Sequence, residues 1–380
     1  MAEPFKNLIN TALVQQAAER FQQVSPDFDR KHFARLASDG LESLEMKARA
    51  LHICQALQAT MPTDFNQSAD ILEAALAPPE PGESMAQLHG LNEGLRGWIL
   101  WPVGEYIARC GLPHPERALR ALHALTQRFT AEFAIRPFIE NHPELSFTTL
   151  TRWVDDESAH VRRLVSEGSR PRLPWGQQLK ALIKDPSPTL PLLQALQDDP
   201  SPYVRRSVSN HLNDIAKDHP KLISLWLKQH LPEASAERRS LLKHASRTLI
   251  KAGDPSVLKA WGLGGKFAGQ AALKLTPVRV RLGEQVQLSL NLQSSSRRDQ
   301  SLAIDYAIHH VKADGSTSPK VFKGWVLQLP AGGNRELEKV HSMREITTRR
   351  YYAGRHQVTI QINGQMVAQS SFMLSMPATQ

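Results

Sequence analysis

WVDDESAHVRRLVSEG, residues 153–168, aligns without gaps on LQDDPSPYVRRSVSNH, residues 196–211, at an offset of 43 residues. That period belongs to the HEAT class of helical repeats, in which one helix pair cannot bury its apolar face alone and must stack on its neighbours. The shared D-D-x-S-x-x-V-R-R run reads as a turn, an N-cap and an inner helix. On that helix Val161, Leu164 and Val165 take the core face. Arg162, Arg163, Ser166 and Glu167 are left on the exposed faces. A weaker echo of the unit is LLKHASRTLIKAGDPSVL at 241–258.

Working outward, apolar residues keep helical spacing through LESLEMKARALHICQALQ, RALRALHALTQRF and PKLISLWLKQHL, with loops at PPEPGES and GLPHPE. The period changes near Gly262, Gly264 and Gly265. Beyond them VRVRLGEQVQLSLNLQ, SLAIDYAIHHV, KVFKGWVLQL and RHQVTIQI alternate every two residues, with turns at the Ser-rich, ADGS, AGGN and NGQ stretches. About seven antiparallel strands in roughly 110 residues fit an immunoglobulin-like sandwich without its cysteine pair. The expected fold is therefore an all-α HEAT-like repeat solenoid over residues 1–264 followed by a small all-β immunoglobulin-like sandwich over residues 265–380.

Among 380 residues, 46 Lys and Arg oppose 37 Asp and Glu, for a formal charge of +9. Such a surplus attracts polyanions and favours nucleic acid over acidic partners. No stretch of about 18 apolar residues exists, and MAEPFKNLIN lacks the apolar run of a signal peptide. A cytoplasmic, nucleoid-associated, monomeric protein with no membrane partner is expected. Cys54 and Cys110 stand in neither CxxC nor Cys/His spacing, so no disulfide framework, metal or cofactor is called for.

Arg162 and Arg163 recur as Arg205 and Arg206, which spaces positive charge along a groove able to track a phosphate backbone. Ion pairing within each repeat fits the same pattern equally well. Ser166 to Trp175 departs from the repeat: Glu167 stands where the second unit has Asn210, so the architecture does not demand an acid there. After Gly168 the helix should stop, and Pro171 and Pro174 hold an extended turn presenting Arg170, Arg172 and Trp175 near the carboxylate. The alternative is a Glu167–Arg163 pair at i,i+4, with Trp175 packed into the next repeat. Trp98, Trp101 and Tyr106 read as core. His211 is open between a phosphate contact and a structural hydrogen bond. Arg297, Arg298, Arg349, Arg350, Arg355 and His356 make the ends of the sandwich basic, either toward a DNA backbone or simply toward solvent.

Taken together, GWILWPVGEYIARCGL (97–112), FTAEFAIRPFI (129–139), HVRRLVSEGSRPRLPWG (160–176), DDPSPYVRRSVSNHLNDIAKDHP (198–220) and YYAGRHQVTIQINGQ (351–365) resemble the AlkC branch of the AlkC/AlkD-type DNA alkylation-repair glycosylases. The likeness spans essentially the whole chain. It implies a metal-free, monofunctional hydrolase of base excision repair, acting on double-stranded DNA that carries cationic N3-alkylated bases such as 3-methyladenine and 3-methylcytosine, without an ordinary base-flipping pocket. It also implies an acidic residue near the lesion in each of two motifs, which here are Glu167 and Glu132. Glu167 would face the sugar, Trp175 would lay its π-face on sugar or base, and Arg170 and Arg172 would grip flanking phosphates. Asn210 and His211 would join the DNA face. For Glu132 an i,i+4 partner, Arg136, is the competing role. A HEAT-type scaffold that binds nucleic acid or protein and catalyses nothing is the alternative for the whole chain.

Overall fold

A computed structural model describes residues 4–79, 93–263, 265–346 and 349–376. Most of the PPEPGES loop, and Gly264 of the expected boundary, lie outside the described residues. Helices occupy the chain from Thr11–Val24 to Pro255–Ala260, and strands follow from Gly269 to Ser375. By packing, the chain divides into two compact units: residues 1–218 with 235–245, and residues 219–234 with 246–380.

In the first unit Met46–Thr60 packs on Leu100–Cys110. Ala159–Gly168 packs on Pro202–Asp218, which packs in turn on Ala236–Ala245. Phe65–Ala75, Pro115–Thr126 and Pro143–Trp153 succeed one another in a second row. The repeated motif earns its period through turn chemistry. Asp156 Oδ1 accepts the Ser158 N–H at 2.8 Å, and Asp199 Oδ1 accepts the Ser201 N–H at 2.8 Å. Arg162 donates to the carbonyls of Asp156 and Glu157, and Arg205 to those of Asp199 and Pro200. The first arginine of each pair is thus a clamp on its own turn. Ser158 makes no side-chain cap, whereas the Ser201 hydroxyl accepts the Tyr203 N–H.

Among its described residues the second unit carries eight strands: β1 (Gly269–Thr276), β2 (Arg279–Arg281), β3 (Gln285–Ser294), β4 (Gln300–Val311), β5 (Thr317–Leu329), β6 (Asn334–Ser342), β7 (Gly354–Ile362) and β8 (Gln365–Ser375). They form a three-stranded sheet, β1-β3-β6, and a five-stranded sheet, β2-β8-β7-β4-β5. VRVRLGEQVQLSLNLQ is two strands, because the chain turns at Gly283, whose φ is +98°. The antiparallel expectation fails in one place: β2 runs parallel to β8, pairing Arg279 with Met373. Alternate residues Val286, Leu288, Leu290 and Leu292 of β3 meet Ile304, Ile308, Val358, Ile360 and Phe372 in the core. Gly253 (φ +75°), ending the Arg247–Ala252 helix, abuts Gly364 (φ +77°) in the β7–β8 turn so closely that a Cβ on either would overlap the other's backbone. Asn363 beside it donates to the Gly265 and Ser301 carbonyls.

Three histidines are buried in this sandwich. His310 has neither ring nitrogen bonded, and it lies edge-on to Tyr351 and His356, while His341 Nδ1 lies 3.0 Å from the Tyr306 hydroxyl. Burial, reinforced by Arg349, pushes His310 down to about 3 and His341 to about 4. Both must therefore stay neutral in the folded protein while they protonate near their ordinary value once unfolded. Their contribution is present in full above about pH 6.5 and is lost as pH falls toward the folded values, at about 1.4 kcal/mol per pH unit for each ring. Calorimetry from neutral pH down to about 4.5 is expected to show a falling melting temperature, with a shallower fall in His310→Phe.

Candidate active site

The helix Ala159–Gly168 brings Arg163 and Glu167 to one side, one turn apart, as α-helical spacing requires. Glu132 reaches the same place from the segment before Arg136–Asn141. Its Oε2 accepts from the Thr130 hydroxyl at 2.7 Å and lies 2.8 Å from Arg163 Nη2. Arg163 Nη2 is also 3.7 Å from Glu167 Oε1. One guanidinium therefore bridges both predicted acids, and the Tyr203 ring covers it at 4.9 Å. Burial works against the Arg163 charge, yet Glu132, Tyr203 and Glu167 together raise its affinity for the proton. Tyr203 is pushed up to about 12, chiefly by burial.

Glu167 is 6% exposed, so the expected outward-facing carboxylate is in fact enclosed, as is Ser166. The reason is the neighbouring repeat. Ser207 donates to Glu167 Oε2 at 2.5 Å, and Arg170 donates to Oε1 at 2.6 Å. Burial alone would raise the acid's pKa, but Arg163, Arg170 and the Ser207 hydroxyl outweigh it and hold the group ionised below the usual carboxylate range. Both oxygens of Glu167 are engaged. Glu132 is the more accessible acid, and its Oε1 accepts no hydrogen bond from the described residues.

Several predicted phosphate contacts have partners within the protein. Arg170 is 7% exposed and divides its donors between Glu167 and Asp214, itself 2% exposed. Arg172 makes a two-pronged bond to Asp218, and Arg162 makes one to Asp199. His211 is fully enclosed with Nδ1 at 2.9 Å from the Ser166 carbonyl, and burial pushes it to about 4, so it is a neutral structural residue with no edge to offer a phosphate. Arg206 stays exposed, and Asn210 Oδ1 lies 3.0 Å from His244 Nε2. In the other unit Arg350 and Arg355 are exposed and Arg349 half-buried. His356 is buried against Phe372, which removes it from the basic surface.

Glu132 does not pair with Arg136. That arginine is fully buried and donates to the carbonyls of Gly168 at 2.8 Å and Gln177 at 2.5 Å. It pins both ends of the segment carrying Trp175, which Leu179 N–H to Pro171 O closes further. Trp175 is 67% exposed and has φ +64°. A bulky residue in that region costs roughly 1–3 kcal/mol, and such strain collects at functional sites. Packing into the next repeat is excluded by that exposure. Trp101 and Tyr106 are core, while Trp98 is half-buried between Phe5 and Phe129. Sequence reasoning passed over Thr130, Tyr203, Ser207 and Asp214, and it offered Arg136 only as a partner for Glu132. Ser207 alone left a trace: it occupies the repeat position of Leu164, a polar residue where the first unit has core. None of the candidate residues lines the groove of about 880 Å³ between Phe65–Ala75, Pro115–Thr126 and Pro143–Trp153.

Comparison with known proteins fits this architecture. A family profile described as the C-terminal Ig-like domain of the uncharacterised protein YhaZ matches residues 270–376. The Bacillus subtilis protein YhaZ is 36% identical over 367 residues, which is 95% of this chain and 96% of that protein. Pseudomonas fluorescens alkylpurine DNA glycosylase AlkC, solved bound to DNA containing an abasic site analogue, superposes with a TM-score of 0.88 at 34% identity, covering 98% of this chain and 100% of that one. With its helical repeats, its C-terminal sandwich and near-complete coverage at this identity, the chain belongs to the AlkC branch of the HEAT-like repeat DNA alkylation-repair glycosylases.

Proposed function

We propose that this protein hydrolyses the N-glycosidic bond of cationic N3-alkylated bases, 3-methyladenine and 3-methylcytosine, in double-stranded DNA, without drawing the base into a conventional pocket. The observation that carries the reading is the convergence of Glu132 and Glu167 on one planar cation, Arg163, under an aromatic ring. A site that already stabilises a guanidinium suits the positive charge of an N3-alkylated base and of the sugar as the bond breaks. Such a base is a good leaving group, so little acid catalysis is needed. A carboxylate beside the deoxyribose stabilises the oxocarbenium-like transition state and orients water. Glu132, with its open oxygen, is the acid we assign to the sugar; Glu167 sets Arg163 in place. Trp175 offers its indole face to the lesion.

Arg206, Arg349, Arg350 and Arg355 are the proposed backbone contacts. Residues 1–264 would carry the chemistry, and residues 265–380 would serve as a DNA-binding module. The protein would act as a monomer in the cytoplasm, associated with the nucleoid. No helix among the described residues is long and apolar enough to cross a membrane. Pseudomonas AlkC, bound to DNA at 34% identity, supports the partner assignment. Purified protein in EDTA is expected to release 3-methyladenine from methylated duplex DNA. Binding of that duplex without release would instead support the scaffold.

A further inference from the structure

We propose that Phe5 and Leu8, opposite Trp175, form a stacking subsite for a nucleobase of the lesion-bearing duplex; the inference rests on the glycosylase reading and extends its site. Among the described residues of 1–218 and 235–245, the exposed large hydrophobic side chains are Phe5 (50%), Leu8 (39%) and Trp175 (67%), and Phe5 and Trp175 are in ring contact at 6.3 Å. Phe5 and Leu8 lie three residues apart on the 3₁₀ helix Phe5–Leu8, where i and i+3 eclipse, so both share one face. Apolar exposure scattered singly needs no explanation, but here it gathers in one place.

The patch is fixed rather than loose. Arg49, 2% exposed, donates to the carbonyls of Lys6 and Ile9, and Lys6 Nζ binds Glu45 at 2.7 Å. Phe5 stands edge-on to Trp98 at 4.9 Å, and Trp98 lies 5.1 Å from Phe129, three residues before Glu132. The apolar face therefore continues into the segment that carries the more open acid. Trp175 holds a strained backbone without gaining burial from it, an arrangement that a flat ligand laid on the indole would reward. Every base has a π-face, and a basic protein brings the polyanion to it, so a nucleobase is the occupant that both the chemistry and the charge select.

The test uses the full chain and duplexes carrying an abasic-site analogue, with 2-aminopurine placed opposite the analogue or at either neighbouring position. Wild type is expected to quench the probe at one position at least. Phe5→Ala should lose that quench and bind about tenfold more weakly, and Phe5→Trp should restore both. Melting temperature should fall only slightly, since the ring is half exposed. Equal quenching by wild type and Phe5→Ala at all three positions overturns the subsite, as does loss of a self-associated form in Phe5→Ala with quenching unchanged. Absence of duplex binding and base release in wild type would overturn the glycosylase reading itself. Normal release with an unaffected Phe5→Ala would overturn the stacking role alone.

Discussion

Glu132→Gln is expected to reduce release of 3-methyladenine by about 100- to 1,000-fold, with duplex affinity within about twofold of wild type. The substitution keeps the shape and removes the charge that would oppose a growing positive charge on the sugar. It also leaves Thr130 and Arg163 an oxygen to bond, so the fold should hold. Glu167→Gln should lose activity too, but with a drop in melting temperature, because Arg163 and Arg170 both lean on that buried charge. Single-turnover release and duplex binding, measured beside a thermal melt, separate the two acids. If Glu132→Gln released base at the wild-type rate, the assignment of the open carboxylate to the sugar would fail.

Arg170→Met is expected to destabilise the protein by up to about 3 kcal/mol, because Glu167 and Asp214 lose their shared counter-ion and keep only Arg163 and Lys217 respectively. Denaturant unfolding measures this directly. The salt dependence of DNA binding discriminates the structural role from the phosphate contact that the sequence suggested: a residue gripping phosphate would lower the slope of log K against log salt by about one. For Arg170→Met the slope should stay unchanged, whereas Arg206→Met, on an exposed side chain, should lower it.

The repeat at 153–168 and 196–211 was legible because its turn chemistry is local: Asp156 and Ser158, and their counterparts Asp199 and Ser201, do the same work 43 residues apart. Glu167 stood out by departure, since it breaks the repeat where Asn210 stands, whereas Glu132 stood out only through the family resemblance. Their setting was not legible. A helical wheel places Glu167 outside, and only packing against Pro202–Asp218 turns it inward. Arg170 and Arg172 looked like phosphate ligands because Asp214 and Asp218, more than 40 residues on, cannot be matched to them from spacing. Phe5 carried no signal at all, because its value lies in a neighbour 170 residues away, Trp175. The β alternation showed the strands, but a parallel pairing as short as β2 with β8 leaves no mark on it.

The chain passes from one compact unit to the other after Asp218, returns for 235–245, and leaves again before Ser246, where the Gly253–Gly364 contact fastens the last helices to the β-rich half. A fragment cut at the change of periodicity would therefore part Pro220–His230, Arg247–Ala252 and Pro255–Ala260 from the rest of their compact unit. Grafting the C-terminal half onto another protein as a cassette would need those helices to travel with it, and no single cut in the backbone can take them cleanly.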